Sequence, residues 1–396
     1  MRSGLGCGTR CCIAGLLSPP RYREPVRTDV ESLDEFDAHL GSTGSLAGVV
    51  VQSVDLTRRS AVLREADVGG AIFLGCRLRP GDASQLARAG ALVFPRLPDL
   101  PFDPYRPALY TAEELYRGLE RGYADTPDAR IFAWARAQLR PGGLDADLSA
   151  ALHDHAISEA LHEAIDGAEH VVGVMGGHAQ RRGSEPYRAS AHLGHTLAGA
   201  GVLVVSGGGP GSMEAANLGA SFAGSVAELD AAIGALAAAE SWSHDITAWA
   251  RSAQQVRRDY PCTRQSLGIP TWFYGHEPPN LFASGIAKYF TNALREDFLL
   301  RLCRAGVVYL PGAAGTVQEV FQAVTPNYYA PEGEPTVPLV LVGARYWTET
   351  VPVWPLLQSL AKGRTMASSI QLVDSVDEAF AALSAAGRAA VPRALG

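Results

Sequence analysis

Apolar and polar positions change rhythm along this 396-residue chain. Between residues 29 and 110 the apolar runs are short. Residues 46–56 and 71–78 are β-rich, and Pro80-Gly81 marks a turn. The stretch reads as a small β-rich unit without an internal repeat, closed by the proline-dense residues 95–107. From 111 to 165 apolar residues recur at helical spacing, over 112–122, 129–139 and 148–165. Pro141-Gly142-Gly143 separates the last two. This segment reads as a helical connector.

From residue 166 to 388 apolar strands alternate with helices. Strands are predicted at 170–175, 202–206, 271–274, 306–310 and 337–342. Helices are predicted near 187–200, 213–223, 228–240, 244–257, 286–304 and 316–323. Strands that are apolar throughout and separated by helices imply an α/β fold. The fold class expected is a Rossmann-like, doubly wound parallel sheet, with its ligand at the carboxyl ends of the strands.

Composition narrows the classes. Apolar residues make up 47% and charged residues 19%, which excludes a disordered chain. The net charge is −7 and the lysines are Lys288 and Lys362, so no basic footprint for a nucleic-acid partner exists. No apolar run approaches the length of a membrane span. The scattered cysteines form no CxxC pair, which fits a reducing cytoplasm. Residues 1–28 imitate a signal peptide through Arg2, Arg10 and the apolar run 11–17. That run is short, and Pro19-Pro20 stands where a small-residue cleavage site belongs, so a disordered tail is expected. Residues 389–396 are expected to form a second tail.

The chemistry-bearing pattern is a pair of glycine loops, each following a strand and opening a helix. The first is SGGGPGS at 206–212, with Met213 starting the helix. Gly207, Gly208, Gly209 and Gly211 allow close backbone approach, and Ser212 and Met213 bring the positive end of a helix dipole. The second is PGAAGT at 311–316, containing Gly312, Gly315 and Thr316. A third glycine turn, Gly176-Gly177-His178, ends the first strand. Together these suit a phosphate. No Gly-Lys-Ser/Thr follows and the GxGxxG spacing is missing, so neither a Walker loop nor a dinucleotide fingerprint is present. Asp230 falls within a helical stretch, not at a strand end. Thr316 and Glu319 also admit a plainer reading as a helix capping box. The histidines, among them His153, His155, His192 and His195, lack a recognised ligand pattern; surface or capping roles are expected, and no metal or other cofactor. His178 is the histidine expected near the ligand, and Trp242, Trp249 and Trp272 are expected in the core.

SGGGPGSMEAAN at 206–217 and LPGAAGTVQE at 310–319 resemble the LOG (Lonely Guy) family, once mislabelled as lysine decarboxylases. EPPN at 277–280 and the GPGxME form are closer to its larger branch, the nucleotide 5′-monophosphate nucleosidases. The resemblance covers roughly residues 165–385. It implies a Rossmann-like phosphoribohydrolase that cleaves the N-glycosidic bond of a nucleoside 5′-monophosphate, working as a homodimer or larger homo-oligomer. It places the family's catalytic arginine on Arg295 and its motif glutamate on Glu319. The chain departs from the family at Ala313, at Gln318, and in having Arg295-Glu296 where the small cytokinin-activating members have Arg-Lys.

In that chemistry a carboxylate stabilises the oxocarbenium-like state or orients water, and an arginine fork holds an anion. Glu319 suits the first role and Arg295 the second, though Arg295 could instead pair with Glu296 or Asp297 on a helix surface. A non-catalytic nucleotide sensor is the second reading. A DNA-uptake Rossmann module is opposed by the charge, and a true lysine decarboxylase by the lack of a lysine for a pyridoxal Schiff base. Both loops, Arg295 and Glu319 lie beyond residue 200, so residues 29–150 are expected to be regulatory or assembly-forming, and a chain starting near Leu148 is expected to fold.

Overall fold

The computed structural model describes residues 28–139, 143–273, 277–331 and 333–390. The two tails expected from the sequence lie outside the described residues, apart from residues 28, 389 and 390, as do Pro141-Gly142 and Tyr274. The chain divides into two compact units, Met1–Arg96 and Leu97–Gly396.

In the first unit the strands are β1 (Asp29–Val30), β2 (Val50–Gln52), β3 (Ile72–Leu74) and β4 (Leu92–Phe94). They pair in parallel in that order. Helices Leu33–Thr43, Ser60–Glu65 and Asp82–Arg88 fill the gaps. The expected β-rich unit is therefore a stack of β-α repeats, and the expectation of no internal repeat is corrected. Leu46, Gly48, Val49, Val51, Val54 and Leu56 return 22 residues later as Val68, Gly70, Ala71, Phe73, Cys76 and Leu78. Gly90, Ala91 and Val93 echo them a third time. The apolar members line one core, and Gly48, Gly70 and Gly90 take left-handed backbone before each strand. Each repeat buries its apolar edge only against the next, as in solenoids.

The second unit holds β5 (Val171–Met175), β6 (Leu203–Ser206), β7 (Ser266–Gly268), β8 (Gly285–Ile286), β9 (Gly306–Tyr309), β10 (Leu339–Val342) and β11 (Ile370–Val373). All pair in parallel, in the order β11-β10-β9-β5-β6-β7-β8. Chain order runs outward from β5 through β6, β7 and β8, then crosses back to β9. The point of reversal, between β5 and β9, is where a doubly wound sheet opens a crevice. The strand expected at 271–274 lies instead at β7; Thr271 makes only a single bridge to Tyr289.

Alternate strand residues serve two cores. Val172, Val174, Val204, Val308 and Val340 face helices Glu185–Gly199, Ser212–Ser221 and Val376–Ala390. Val171, Met175, Val205, Val307 and Leu341 face the opposite layer, with Ile157, Leu161, Leu299 and Val320. On the first face the two glycine-bearing helices touch backbone to backbone: a Cβ at Gly219 would fall 1.8 Å from the Ala191 carbonyl oxygen.

The helices read as a connector belong to the second unit and its core, with Tyr110, Leu115, Tyr116, Leu119 and Ile131 buried. Tyr116 donates from its hydroxyl to the Pro279 carbonyl (2.5 Å), and Tyr110 exchanges backbone hydrogen bonds with Ile286. Asp128 accepts from the Lys288 ammonium (2.7 Å), the Trp272 indole (2.8 Å) and the Tyr123 hydroxyl, with Asp128 and Lys288 both buried. His153, expected at the surface, is fully buried between the Tyr110 hydroxyl (2.8 Å) and Asp154 (3.2 Å). The Asp154 carboxylate in turn accepts from the amides of Phe290 and Thr291.

These contacts revise the expected fragment boundary. A chain starting at Leu97 is expected to fold. One starting at Leu148 loses Asp128 and strands a buried ammonium, a defect worth about 3–5 kcal/mol on its own, and uncovers Trp272 and Phe290, which pack against Tyr110, Phe102 and Trp134. Circular dichroism and gel filtration of the two shortened chains check this; a monodisperse, cooperatively melting 148–396 chain would contradict it.

Candidate functional site

The crevice is built from the segments that leave the carboxyl ends of β5, β6, β7 and β9. Backbone bonds lace them together. The Gly177 amide donates to the Pro311 carbonyl (3.1 Å), the Ser212 amide to the Gly177 carbonyl (3.2 Å), and the Ile269 amide to the Ser206 carbonyl (2.9 Å). The three glycine turns singled out in the sequence are thus neighbours in space.

Their glycines have protein partners. Gly208 and Gly211 have left-handed backbone, and a Cβ would meet the Pro270 ring at 2.5 Å in one case and the Gly177 carbonyl at 2.5 Å in the other. A Cβ on Gly176 would approach Ser212, one on Gly177 the Pro311 carbonyl, and one on Gly312 the Thr316 hydroxyl. The loop 207–212 is buried throughout, so close loop-on-loop packing accounts for its glycines. The second loop differs. Ala313, Ala314 and Gly315 are exposed, and a Cβ on Gly315 would meet nothing within 4 Å.

Helices Ser212–Ser221 and Ala314–Tyr329 both begin without a side-chain cap, at Gly211 and Ala313. The capping box considered for Thr316 and Glu319 is therefore absent: Thr316 lies inside the first turn and Glu319 bonds elsewhere. An uncapped helix start leaves amide donors and the dipole for an anion.

Arg295, on helix Asn292–Leu302, is the hub. Its Nη1 donates to Glu296 Oε1 (2.7 Å) and Glu319 Oε1 (3.0 Å). Its Nε donates to the Ile269 carbonyl (2.6 Å) and its Nη2 to the Gly207 carbonyl (3.2 Å). The surface ion pair considered for Arg295 is not what forms: Arg295, Glu296 and Glu319 are all buried. Nor is a fork left open, since four of the five guanidinium N–H groups are engaged. Arg295 organises the loop and the carboxylates rather than presenting a free bidentate face.

Burial raises the Glu319 carboxyl above its ordinary value, and Glu296 and Glu277 push it the same way against the pull of Arg295. Glu296 also keeps one buried oxygen without a hydrogen-bond partner. Beyond the loop, His178 Nδ1 lies 2.8 Å from Glu277 Oε1, and that hydrogen bond raises the imidazole. Met213 packs along the loop: a Cβ on Gly207 would meet its sulfur at 2.6 Å, and one on Gly209 its methyl at 2.9 Å. Trp249 and Trp272 are buried, while Trp242 is half-buried with its ring edge-on to His178. Asp230 is engaged by His192 and Arg188. No group of acidic, histidine or cysteine residues suited to a metal ion occurs among the described residues.

Two asparagines support the first loop. Asn280 donates to the Gly209 carbonyl (3.3 Å) and to Asn217 Oδ1 (2.9 Å), and its own amide donates to the Gly208 carbonyl (2.8 Å). Asn217 accepts from the Ser206 hydroxyl (2.6 Å) and donates to the Leu267 carbonyl (3.0 Å). Both residues close motifs visible in the sequence, SMEAAN and EPPN, but nothing in their spacing indicated that they bond each other. Glu277 was legible only as the first letter of EPPN.

An α/β protein of the doubly wound, Rossmann-like class is defined by this strand order and by the glycine loops at its reversal. Residues 169–249 match the model of the SLOG cluster4 family. That segment contains the first glycine motif, so the resemblance to LOG-type proteins is borne out there. No curated protein matches the chain. Among solved structures it is similar to the Moco carrier protein from Chlamydomonas reinhardtii, with 17% identity over 56% of this chain and 98% of that one, at a TM-score of 0.32. It is also similar to the molybdenum cofactor binding protein from Rippkaea orientalis, with 14% identity over 55% and 96%, at 0.33. Among the described residues no helix is long and apolar enough to cross a membrane.

Replacing Arg295 by Met leaves two buried carboxyls without a cation. The expected loss of stability is about 3–5 kcal/mol. Burial and the neighbouring carboxylates already raise Glu319, and without Arg295 nothing opposes that rise, so Glu319 binds its proton more tightly folded than unfolded. The stability it contributes is then present at low pH and lost as pH rises through its raised value. The penalty in urea unfolding should therefore be larger at mildly alkaline than at mildly acidic pH; the reverse order would place the carboxylates elsewhere.

Proposed function

We propose that the protein is a nucleoside 5′-monophosphate phosphoribohydrolase, releasing a free base and ribose 5-phosphate. The observation that carries this reading is Glu319. It is a buried carboxylate at the reversal of a doubly wound sheet, fixed by Arg295 and preceded on its own helix by an uncapped, exposed helix start. Cleavage of an N-glycosidic bond passes through an oxocarbenium-like state. A carboxylate held in a low-dielectric site opposes that developing positive charge and can orient the attacking water. The phosphate is assigned to the amides at the helix start, 313–316, where Ala313, Ala314 and Gly315 are exposed, with Gly177 and Gly312 close behind. Arg295 then acts on Glu319 and the Gly207 carbonyl rather than on the phosphate.

The second reading is a nucleotide-binding sensor without turnover. The engaged fork of Arg295, together with Ala313 and Gln318 at motif positions, favours it. The two readings part on one experiment: a panel of nucleoside 5′-monophosphates is incubated with the protein and free bases are separated by chromatography. The hydrolase reading expects base and ribose 5-phosphate in equal amounts; binding without release supports the sensor.

Glu319→Gln is expected to keep nucleotide binding and lower turnover by about 10²-fold or more, the scale of a positioned acid-base group. Calorimetry and the base-release assay measure the two quantities separately, and near-normal turnover would remove Glu319 from the chemistry.

The 5′-phosphate is expected to be the main anchor, because the helix start at 313–316 offers an anion more than it offers a sugar. AMP should therefore be a far better substrate than adenosine. Equal kcat/KM for the two would refute the assignment of that loop.

A further inference from the structure

His178 and Glu277 form a pair beside the glycine loop that takes no part in the roles assigned to Glu319 and Arg295. His178 follows the glycine turn after β5, and Glu277 follows β7. Their side chains meet at 2.8 Å, Nδ1 to Oε1, while remaining 49% and 34% exposed. The pair also touches the glycine loop. A Cβ on Gly211 would come within 2.8 Å of the His178 carbonyl group, and one on Gly209 within 3.4 Å of Glu277 Oε2. The inner end of the same loop, Gly207, is bonded to Arg295. The loop thus has Glu319 and Arg295 at one end and His178 and Glu277 at the other. Because Nδ1 is committed to Glu277, the tautomer and ring orientation are fixed and Nε2 is left for a ligand.

Resting on the hydrolase reading, we propose that the His178–Glu277 pair is the acid that protonates the departing base. As the bond between C1′ and the base nitrogen breaks, its electron pair leaves with the base. Nε2–H of the imidazolium passes its proton to a ring nitrogen of that base. Water adds to C1′ and gives one proton to Glu319, completing ribose 5-phosphate. Glu319 then releases that proton to solvent and His178 takes one up, so the protein is unchanged. Glu277 faces the imidazole as the charged group, and the neutral Trp242 ring lies edge-on at 6.1 Å. The hydrogen bond to Glu277 raises the imidazole, so its acid form persists further toward neutral pH and is lost as pH rises.

Leaving-group chemistry tests this. GMP needs a proton on its departing base, whereas N7-methylated GMP carries a cationic base that leaves neutral without one. His178→Gln is expected to lower kcat on GMP by about 10²-fold and to leave kcat on the methylated nucleotide within about fivefold. Equal losses on both, or no loss on either, overturn the proposal. Glu277→Gln keeps the imidazole, and should move the alkaline limb of the GMP rate profile to lower pH; an unmoved limb also overturns it. A wild-type protein that binds these nucleotides and releases no base from either overturns the hydrolase reading, and this proposal falls with it.

Discussion

The guanidinium of Arg295 is the interaction on which the crevice depends. It reaches two backbone carbonyls on different segments, Gly207 and Ile269, and two carboxylates on different helices, Glu296 and Glu319. An ammonium could not do this, because a point charge lacks the planar spread of five donors. The cost of burying two carboxylates together is offset only while that cation is between them. The same balance leaves Glu319 with a raised affinity for protons, which is the condition a group needs if it is to exchange one near neutral pH. Loop position, carboxylate position and carboxylate chemistry are thus consequences of one side chain.

The parts of this arrangement that follow from local sequence could be read in advance. Strands β5, β6, β9 and β10 announced themselves as short apolar runs, and the glycine loops as strand-to-helix turns. What failed was whatever depends on residues far apart in the chain. Asp128 and Lys288 stand 160 positions apart, and neither carries a local sign that it ends in a buried ion pair. His153 carried no local sign against a surface or capping role, yet tertiary packing put it beneath Tyr110. The solenoid repeat was missed for another reason. Its strands are two or three residues long, too short for a period-two signal, and most of its recurring apolar letters change identity and size, as in Val49 to Ala71 and Val51 to Phe73.

Glycine is the residue whose meaning shifted most between sequence and structure. Four glycines in a seven-residue loop suggested that a ligand approaches the backbone there. In the fold, other protein segments make that approach: the Gly177 carbonyl against Gly211, the Pro270 ring against Gly208, Met213 against Gly207 and Gly209. The two explanations are compatible, since a loop packed this tightly is also rigid, and rigidity is what a preorganised site requires. The open donors, however, belong to the second loop, where the glycine faces no neighbour.

The segment before the Rossmann-like sheet then takes on a definite role. Residues 97–139 do not merely lead into β5. Tyr116 holds the Pro279 carbonyl, Tyr110 pairs with Ile286, and Asp128 holds Lys288, whose ammonium also lies 3.4 Å from the Glu277 carbonyl. All of these partners sit between residues 277 and 288, the stretch that carries Glu277 and Asn280 into contact with the glycine loop. Between β7 and β8 this stretch is irregular, and its amides at Asn280 and Ser284 bond the Gly208 and Ser266 carbonyls. The tyrosine and carboxylate clamps from 97–139 hold the same stretch from the other side of the chain's order, through side chains. The crevice at the carboxyl ends of the strands is therefore built by residues on both sides of β5 in sequence, although its recognisable motifs all lie on one side.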